Sequence, residues 1–192
     1  MREFNEKAVL ETKRLILRFL EEKDRDAIFN NINHDREVLK YYVASFVEKP
    51  DDFSLKNLIE YYKQNEMYIF AVVLKESGEV IGNILQCSKP NARMHTVEVG
   101  YAIGKKYWNN GYTSEALKAM IGFLFDRGIH KVTACHIAGN IASGRVMEKC
   151  GMAYEGRKID DLYYHDRYYD TLNYYIINKG DDDGTLHGCE IQ

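Results

Sequence analysis

Apolar and polar residues alternate along several short stretches of the chain, with the two-residue period of half-buried strands. Gly78 lies in a short loop between two of these stretches, which is typical of an antiparallel hairpin. The alternation predicts strands at residues 15–20, 68–74, 80–87, 96–103, 131–136, 153–160 and 168–177.

A period near 3.6 residues marks the other ordered segments and indicates amphipathic helices. Asp24 is a candidate N-cap for the first helix, and Gly128 and Gly151 follow the last two, as glycines at helix C-termini commonly do. The predicted helices cover residues 24–31, residues 35–42, a segment after Pro50, residues 114–125 and residues 142–150.

The order of these elements indicates the fold class. Residues 97–136 comprise a strand, a helix and a strand, so the two strands are expected to be parallel with a right-handed crossover. The earlier hairpin is expected to be antiparallel. We therefore predict an α/β (α+β) fold, with a mixed, twisted central sheet and helices on both faces.

Length and charge narrow the class of protein. The chain has 192 residues, which predicts one domain over residues 1–179. Residues 180–192 carry four acidic and no basic side chains and are expected to be a disordered tail. Without that tail, 26 basic residues face 25 acidic ones, so no nucleic-acid partner is expected.

Targeting and ligand signals are absent from the sequence. It has no apolar run that would span a bilayer and no signal-peptide region, which predicts a cytoplasmic protein with no membrane partner. The four cysteines are scattered, with no ligand spacing to His or Cys. They are expected to be buried free thiols, and no metal site is predicted.

The polar turn at residues 107–113 is the most informative part of the chain. It joins a strand to a helix and contains one glycine, Gly111. The first N–H groups of a helix have no intrahelical partners, and the helix dipole places partial positive charge there. A pyrophosphate fits such a site. A plain connecting turn is the alternative that this stretch alone leaves open.

Two longer motifs place this turn in a family. Residues 97–103 with 107–116, which read YWNNGYTSEA, resemble motif A of the GNAT acetyltransferases, and residues 140–152 resemble motif B. The chain is similar to the RimJ/RimL-like branch, whose named members acetylate N-terminal amines of ribosomal proteins. This resemblance implies the GNAT fold, in which the fourth and fifth strands, here 97–103 and 131–136, are splayed.

The resemblance implies acetyl-CoA as the co-substrate and no metal. An amine attacks the thioester directly in a ternary complex, so the protein must align the reactants and stabilise an oxyanion. Thr113 departs from the small residue usual in motif A, which we expect to be tolerated because backbone N–H groups hold the phosphates. The implied acetyl-CoA-binding residues are Tyr101, Ala102, Ile103, Trp108, Asn109, Asn110, Gly111, Tyr112, Thr113, Ser114, Asn140, Ser143 and Arg145.

Glu98 and Ser143 are the candidate catalytic residues. Glu98 lies on the strand expected to hold the acetyl group and is the candidate base; a solvated carboxylate is the alternative, and His95 is a second candidate base. Many GNAT enzymes have a Tyr that acts as the general acid seven residues after the Asn of motif B, but that position is Met147 here. The resemblance implies Ser143 as the substitute acid and Asn140 as the residue that binds the pantetheine amide.

The acceptor is expected to be a primary amine, first of all the N-terminal α-amine of a protein or peptide. The reference pKa of an α-amine is about 7.7–8.0, against about 10.4 for Lys, so it needs less help from a base. A small amine (a polyamine, amino acid or antibiotic) and a non-catalytic acyl-CoA sensor remain alternatives. Tyr41, Tyr42, Tyr163 and Tyr164 are candidates for an acceptor groove, and the protein is expected to be a monomer or homodimer.

Overall fold

The computed structural model describes residues 3–44, 46–90 and 93–181. Eight strands form one sheet in the order β1-β2-β3-β4-β5-β6-β8-β7. The strands are β1 (Val9–Glu11), β2 (Leu15–Phe19), β3 (Ile69–Leu74), β4 (Val80–Gln86), β5 (Thr96–Ile103), β6 (Lys131–Ile137), β7 (Ala153–Tyr164) and β8 (Arg167–Ile177). All neighbouring pairs are antiparallel except β5 and β6, which are parallel as predicted.

Five α-helices connect these strands. They are α1 (Arg25–Ile28), α2 (Arg36–Leu39), α3 (Leu55–Gln64), α4 (Tyr112–Asp126) and α5 (Ile141–Lys149). The segment around α1 is irregular, because a 3-10 turn precedes it and a π-helical turn follows it. Gly128 and Gly151 have φ of 86° and 83° and follow the ends of α4 and α5, as the sequence predicts.

The structure corrects several predicted elements. Asp24 occupies the N-cap position of α1, as predicted, but its side chain does not cap the helix. Its carboxylate instead accepts from the Glu21 N–H at 2.9 Å and binds both Nη atoms of Arg18 at 2.7 Å. The helix predicted at residues 35–42 is reduced to α2, which Asp35 caps. The sequence pattern missed β1 because three residues are too short to show a period.

Helices cover both faces of the sheet, as predicted. On one face, Phe123 of α4 meets Phe70 of β3 edge-on, with ring centroids 5.6 Å apart. On the other face, the Tyr42 hydroxyl, just after α2, donates to the side chain of Asn83 on β4 at 3.3 Å. The mixed sheet therefore has an α4–α5 face and an α1–α3 face.

β5 and β6 separate after a short paired section. Only Thr96–Glu98 of β5 pairs with β6. Beyond that point β5 stays on β4 as far as Ile103, whereas β6 stays on β8 as far as Ile137. Each strand is held by its outer neighbour, and a V-shaped gap opens between them, as the resemblance implies.

Within the ranges that the structure describes, no helix is long and apolar enough to cross a membrane. In the same ranges, no group of three His, Cys, Asp or Glu side chains is arranged to hold a metal ion. Cys150 is buried and Cys135 is half-buried, but Cys87 is exposed, so the expected burial is wrong for Cys87. Cys189 and residues 182–192 of the expected tail lie outside the described residues.

Candidate active site

The turn between β5 and α4 folds its side chains back onto its own carbonyl groups. The indole N–H of Trp108 donates to the Ile103 carbonyl at 2.6 Å, and the Asn110 amide donates to two carbonyls of the turn. Asn109 and Gly111 have φ of 62° and 77°, in the left-handed region. A left-handed residue on each side of Asn110 turns successive N–H groups towards one side, which is the geometry of an anion-binding nest.

The N–H groups in the second half of this turn lack acceptors, whereas those of Tyr107 and Trp108 donate to the Gly104 and Lys105 carbonyls. Among the residues that the structure describes, no hydrogen bond uses the backbone N–H groups of residues 109–114 as donors. The next N–H, that of Glu115, donates to the Gly111 carbonyl at 3.1 Å. The helix dipole adds partial positive charge at the same place. These features favour a diphosphate-binding turn over a turn that only connects β5 to α4.

Arg14 closes one side of the turn, although the sequence did not single it out. Its Nη1 donates to the Asn110 carbonyl at 2.9 Å, and its guanidinium lies 4.5 Å from the centre of the Tyr112 ring. Both its Nε and Nη2 bind the Glu115 carboxylate at 2.7 Å. Burial by itself would raise the pKa of Glu115. Hydrogen bonds from Thr12 and Arg14 outweigh this effect and hold the pKa of Glu115 below its usual value. Arg14 therefore joins the β1–β2 turn to the start of α4.

The gap between β5 and β6 exposes backbone groups of β5. The Glu98 carbonyl accepts from the Cys87 N–H at 2.8 Å, so Glu98 and Gly100 direct their backbone groups to β4. Because successive residues of a strand direct their N–H and C=O groups to opposite sides, the backbone groups of Val99 and Tyr101 point into the gap. Unpaired backbone groups inside a protein are costly, and an extended ligand with amide groups would satisfy them. The gap fits the pantetheine arm of a coenzyme A thioester.

Tyr101 and Ser143 meet on the α4–α5 face of the sheet, with their hydroxyl oxygens 2.8 Å apart. Burial raises the pKa of Tyr101 well above its usual value, while the hydrogen bond to Ser143 opposes the change, so this phenol carries its proton. Asn140 caps α5 by accepting from the Ser143 N–H at 3.3 Å. Its Nδ2 donates to no acceptor within the described ranges. Met147 fills the core behind them and is 1% exposed.

Glu98 lies on the opposite, α1–α3 face, at the last paired position before the gap opens. Its carboxylate accepts from the Cys135 thiol, with the sulfur 3.6 Å from Oε1. Burial first, and then the charge of Glu98, raise the pKa of Cys135 to about 12 and keep that thiol protonated. Glu98 forms no ion pair with any residue that the structure describes.

The other predicted residues lie nearby or at the edge of this region. His95 is exposed just before β5, at its paired end, and thus away from the gap. Arg145 is exposed on α5. Tyr42 contacts the sheet through Asn83, and the Tyr164 hydroxyl lies 3.1–3.2 Å from three carbonyls in and after α2. The β7–β8 hairpin is therefore attached to the end of α2.

The family follows from comparison of the sequence with known proteins. The sequence model of one protein family, the acetyltransferase (GNAT) domain, matches residues 14–153 of this chain. The chain belongs to the GNAT acetyltransferase family. It is an acetyl-CoA-dependent N-acetyltransferase, and the predicted fold, enzyme class and co-substrate are confirmed. The unpaired N–H groups of the β5–α4 turn and the gap beside β5 fit that co-substrate.

Individual relatives agree with this assignment. The chain is 30% identical over 173 residues to the uncharacterised N-acetyltransferase YoaA of Bacillus subtilis, covering 88% of this chain and 96% of that one. A GNAT acetyltransferase structure from Bacillus anthracis superposes with a TM-score of 0.77 at 29% identity, covering 88% and 98% of the two chains. The ribosomal protein uS5-alanine N-acetyltransferase of Escherichia coli is 26% identical over 162 residues, covering 81% and 84%.

Proposed function

We propose that this N-acetyltransferase acetylates the N-terminal α-amine of a protein or peptide by direct attack in a ternary complex. The observation that carries the proposal is the Glu98 carboxylate, which lies beside the β5–β6 gap without an ion-pair partner among the described residues. An α-amine with a pKa of about 8 is well matched to such a base. The similarity to the uS5-alanine acetyltransferase and to the RimJ/RimL-like branch supports this acceptor class.

On the α4–α5 face, the residues of the turn bind acetyl-CoA. The N–H groups of residues 109–114 hold the diphosphate, and Arg14 and Arg145 add positive charge near it. Asn140 donates its free Nδ2–H to a carbonyl of the pantetheine arm. The backbone groups of Tyr101 and Ile103 that face the gap pair with the same arm. Those of Ala102 face β4, so Ala102 contributes only its small side chain beside the gap.

The attacking amine reaches the thioester carbon from the α1–α3 face. Glu98 accepts the proton that the amine loses as the new C–N bond forms, directly or through one water. Backbone N–H groups of β5 that face the gap stabilise the oxyanion. The C–S bond then breaks, and the electron pair leaves with sulfur.

The leaving sulfur takes its proton from the Tyr101–Ser143 pair. Ser143 is placed in the first turn of α5, and Tyr101 binds its hydroxyl at 2.8 Å, so a proton given by Ser143 is replaced from Tyr101. Tyr101 then regains a proton from solvent, to which Glu98 releases the one it accepted. Two hydroxyls in a chain take over the role of the Tyr that many GNAT enzymes have at the position of Met147. Glu98 and Ser143 thus act on opposite faces of the sheet.

The decisive experiment measures release of the CoA thiol with acetyl-CoA and a panel of acceptors: peptides with free or blocked N-termini, polyamines, amino acids and aminoglycosides. Turnover of free but not blocked peptides is the expected result. Turnover of a polyamine or an antibiotic alone would refute the peptide acceptor, and acetyl-CoA binding without turnover on any acceptor would favour the sensor. Cytoplasmic location and oligomeric state stay predictions.

A further inference from the structure

A basic cavity of about 560 Å³ lies beside the proposed acceptor groove. Helix α2 forms one wall, the end of β6 forms the floor, and the turn between β7 and β8 forms the other wall. Four side chains that can carry positive charge line it together with two tyrosine rings: Arg36, Lys40, His165, Arg167, Tyr41 and Tyr169.

The charges of this basic cavity are positioned but not neutralised. The Arg36 guanidinium lies 3.9 Å from the centre of the Phe46 ring, and the Arg167 guanidinium lies 4.3 Å from that of Tyr169. Within the ranges that the structure describes, neither arginine, nor Lys40, forms an ion pair with a carboxylate. Aromatic rings orient guanidinium groups while leaving N–H donors available. In Arg167 the Nε–H donates to the Tyr169 hydroxyl, and the Nη groups make no hydrogen bond among the described residues. Such a cavity favours a carboxylate or a phosphate.

The basic cavity lies further along β6 than the point where Glu98 contacts that strand. Cys135, whose thiol contacts Glu98, is three residues before Ala138 in the floor of the cavity. Because a strand rises about 3.3 Å per residue, this separation is about 10 Å. The Tyr41 hydroxyl lies 3.9 Å from the position of a Cβ on Gly139, so α2 closes directly over the end of β6.

We propose that the acceptor carries an anionic group about 10 Å from its reacting amine, and that Arg36, Lys40 and Arg167 bind this group. The inference rests on the proposed function and specifies its substrate class. In an extended peptide, about 10 Å corresponds to an acidic side chain at the third or fourth residue. A polyamine would place positive charge in the same cavity and be repelled.

The test compares kcat/KM for four peptides that differ only at the third and fourth residues: two Glu, two Gln, two Lys, or two phosphoserines. We expect Glu to exceed Gln by about tenfold, the size of one charge-assisted hydrogen bond, and Lys to fall below Gln. The Glu/Gln ratio should shrink as salt is raised, because the cavity is open to solvent. The phosphoserine peptide shows whether the cavity prefers phosphate to carboxylate.

The double variant Arg36→Glu/Lys40→Glu should reduce the Glu/Gln ratio to one or below, while the Gln peptide reports whether the enzyme is still folded and active. A matched control is Lys7→Glu, an exposed residue before β1 at the other end of the strand order. Equal kcat/KM for the Glu and Gln peptides in the parent enzyme would overturn the anionic site and leave N-terminal acetylation intact. Turnover of small anionic amines but of no peptide would support the site and refute the N-terminal acceptor.

Discussion

Replacing Glu98 with Gln tests the proposed base with little change in shape. The amide keeps an oxygen at the position that the Cys135 thiol contacts at 3.6 Å. It breaks no ion pair among the described residues, so we expect the melting temperature to stay close to that of the parent. The change removes the negative charge and with it the ability to accept a proton. Any large effect on turnover then reports on chemistry and not on folding.

The expected magnitude depends on pH. General-base catalysis contributes about 10²–10⁴-fold, and we expect a loss of about 10² in kcat/KM at pH 7. An amine with a pKa of about 8 is about one-tenth neutral at pH 7 and about nine-tenths neutral at pH 9. In the parent, Glu98 also removes the extra proton of the ammonium form, so the parent rate depends little on the neutral fraction. The variant depends on that fraction, which rises roughly ninefold, so the deficit of Glu98→Gln should shrink to about tenfold at pH 9.

The assay is the initial rate of CoA-thiol release from pH 6.5 to 9.5 at a fixed peptide concentration below KM. Glu76→Gln, an exposed carboxylate in the β3–β4 loop, is the matched control and should follow the parent at every pH. Parent-like rates and a parent-like pH profile in Glu98→Gln would show that Glu98 is only a strand carboxylate.

Three further predictions concern the acetyl-CoA side. Gly111→Val should weaken acetyl-CoA binding at least tenfold in a calorimetric titration, because a β-branched residue is strained at φ of 77°; unchanged affinity would remove the turn from the site. Tyr101→Phe and Ser143→Ala should each lower kcat by about 10–100-fold with little change in KM, and parent-like kcat in both would place the proton donor elsewhere. Arg14→Met should make the free energy of unfolding less sensitive to acid, because Arg14 helps to lower the pKa of Glu115. The pKa of Glu115 is lowered in the fold, so its contribution is complete above the usual value of 4.5 and lost as pH falls through the folded-state pKa. Thermal unfolding at pH 3–7 measures this, and equal acid sensitivity in parent and variant would contradict it.

The sequence predicted the sheet and the two GNAT motifs well, because both depend on local spacing. The strand predicted at residues 96–103 coincides with β5, and the predicted turn around Gly111 joins it to α4. The shorter helices were less predictable. The segment 24–33 mixes three kinds of helical turn, and α2 is only one turn long, so neither shows a clear period.

Residues distant in the chain were out of reach of pattern reasoning. Arg14 contacts the β5–α4 turn from a different part of the sequence, and the two meet only when the sheet forms. The Tyr101–Ser143 pair has the same origin, since its members lie on β5 and α5. The basic cavity could not be predicted from the sequence, because Arg36 and Arg167 come together only when the β7–β8 hairpin folds against α2.

The position of the β7–β8 hairpin at the edge of the sheet separates two tasks of the enzyme. The hairpin contacts β6 and the end of α2, but the β5–α4 turn lies on the far side of β5. Under the proposed function, mutations in the hairpin are therefore expected to alter which amine is accepted while the coenzyme is held as before. Exchanging residues 160–169 between relatives is thus a direct route to new acceptor preferences, and an evolving lineage can change substrates without rebuilding the half of the fold that supplies the acetyl group.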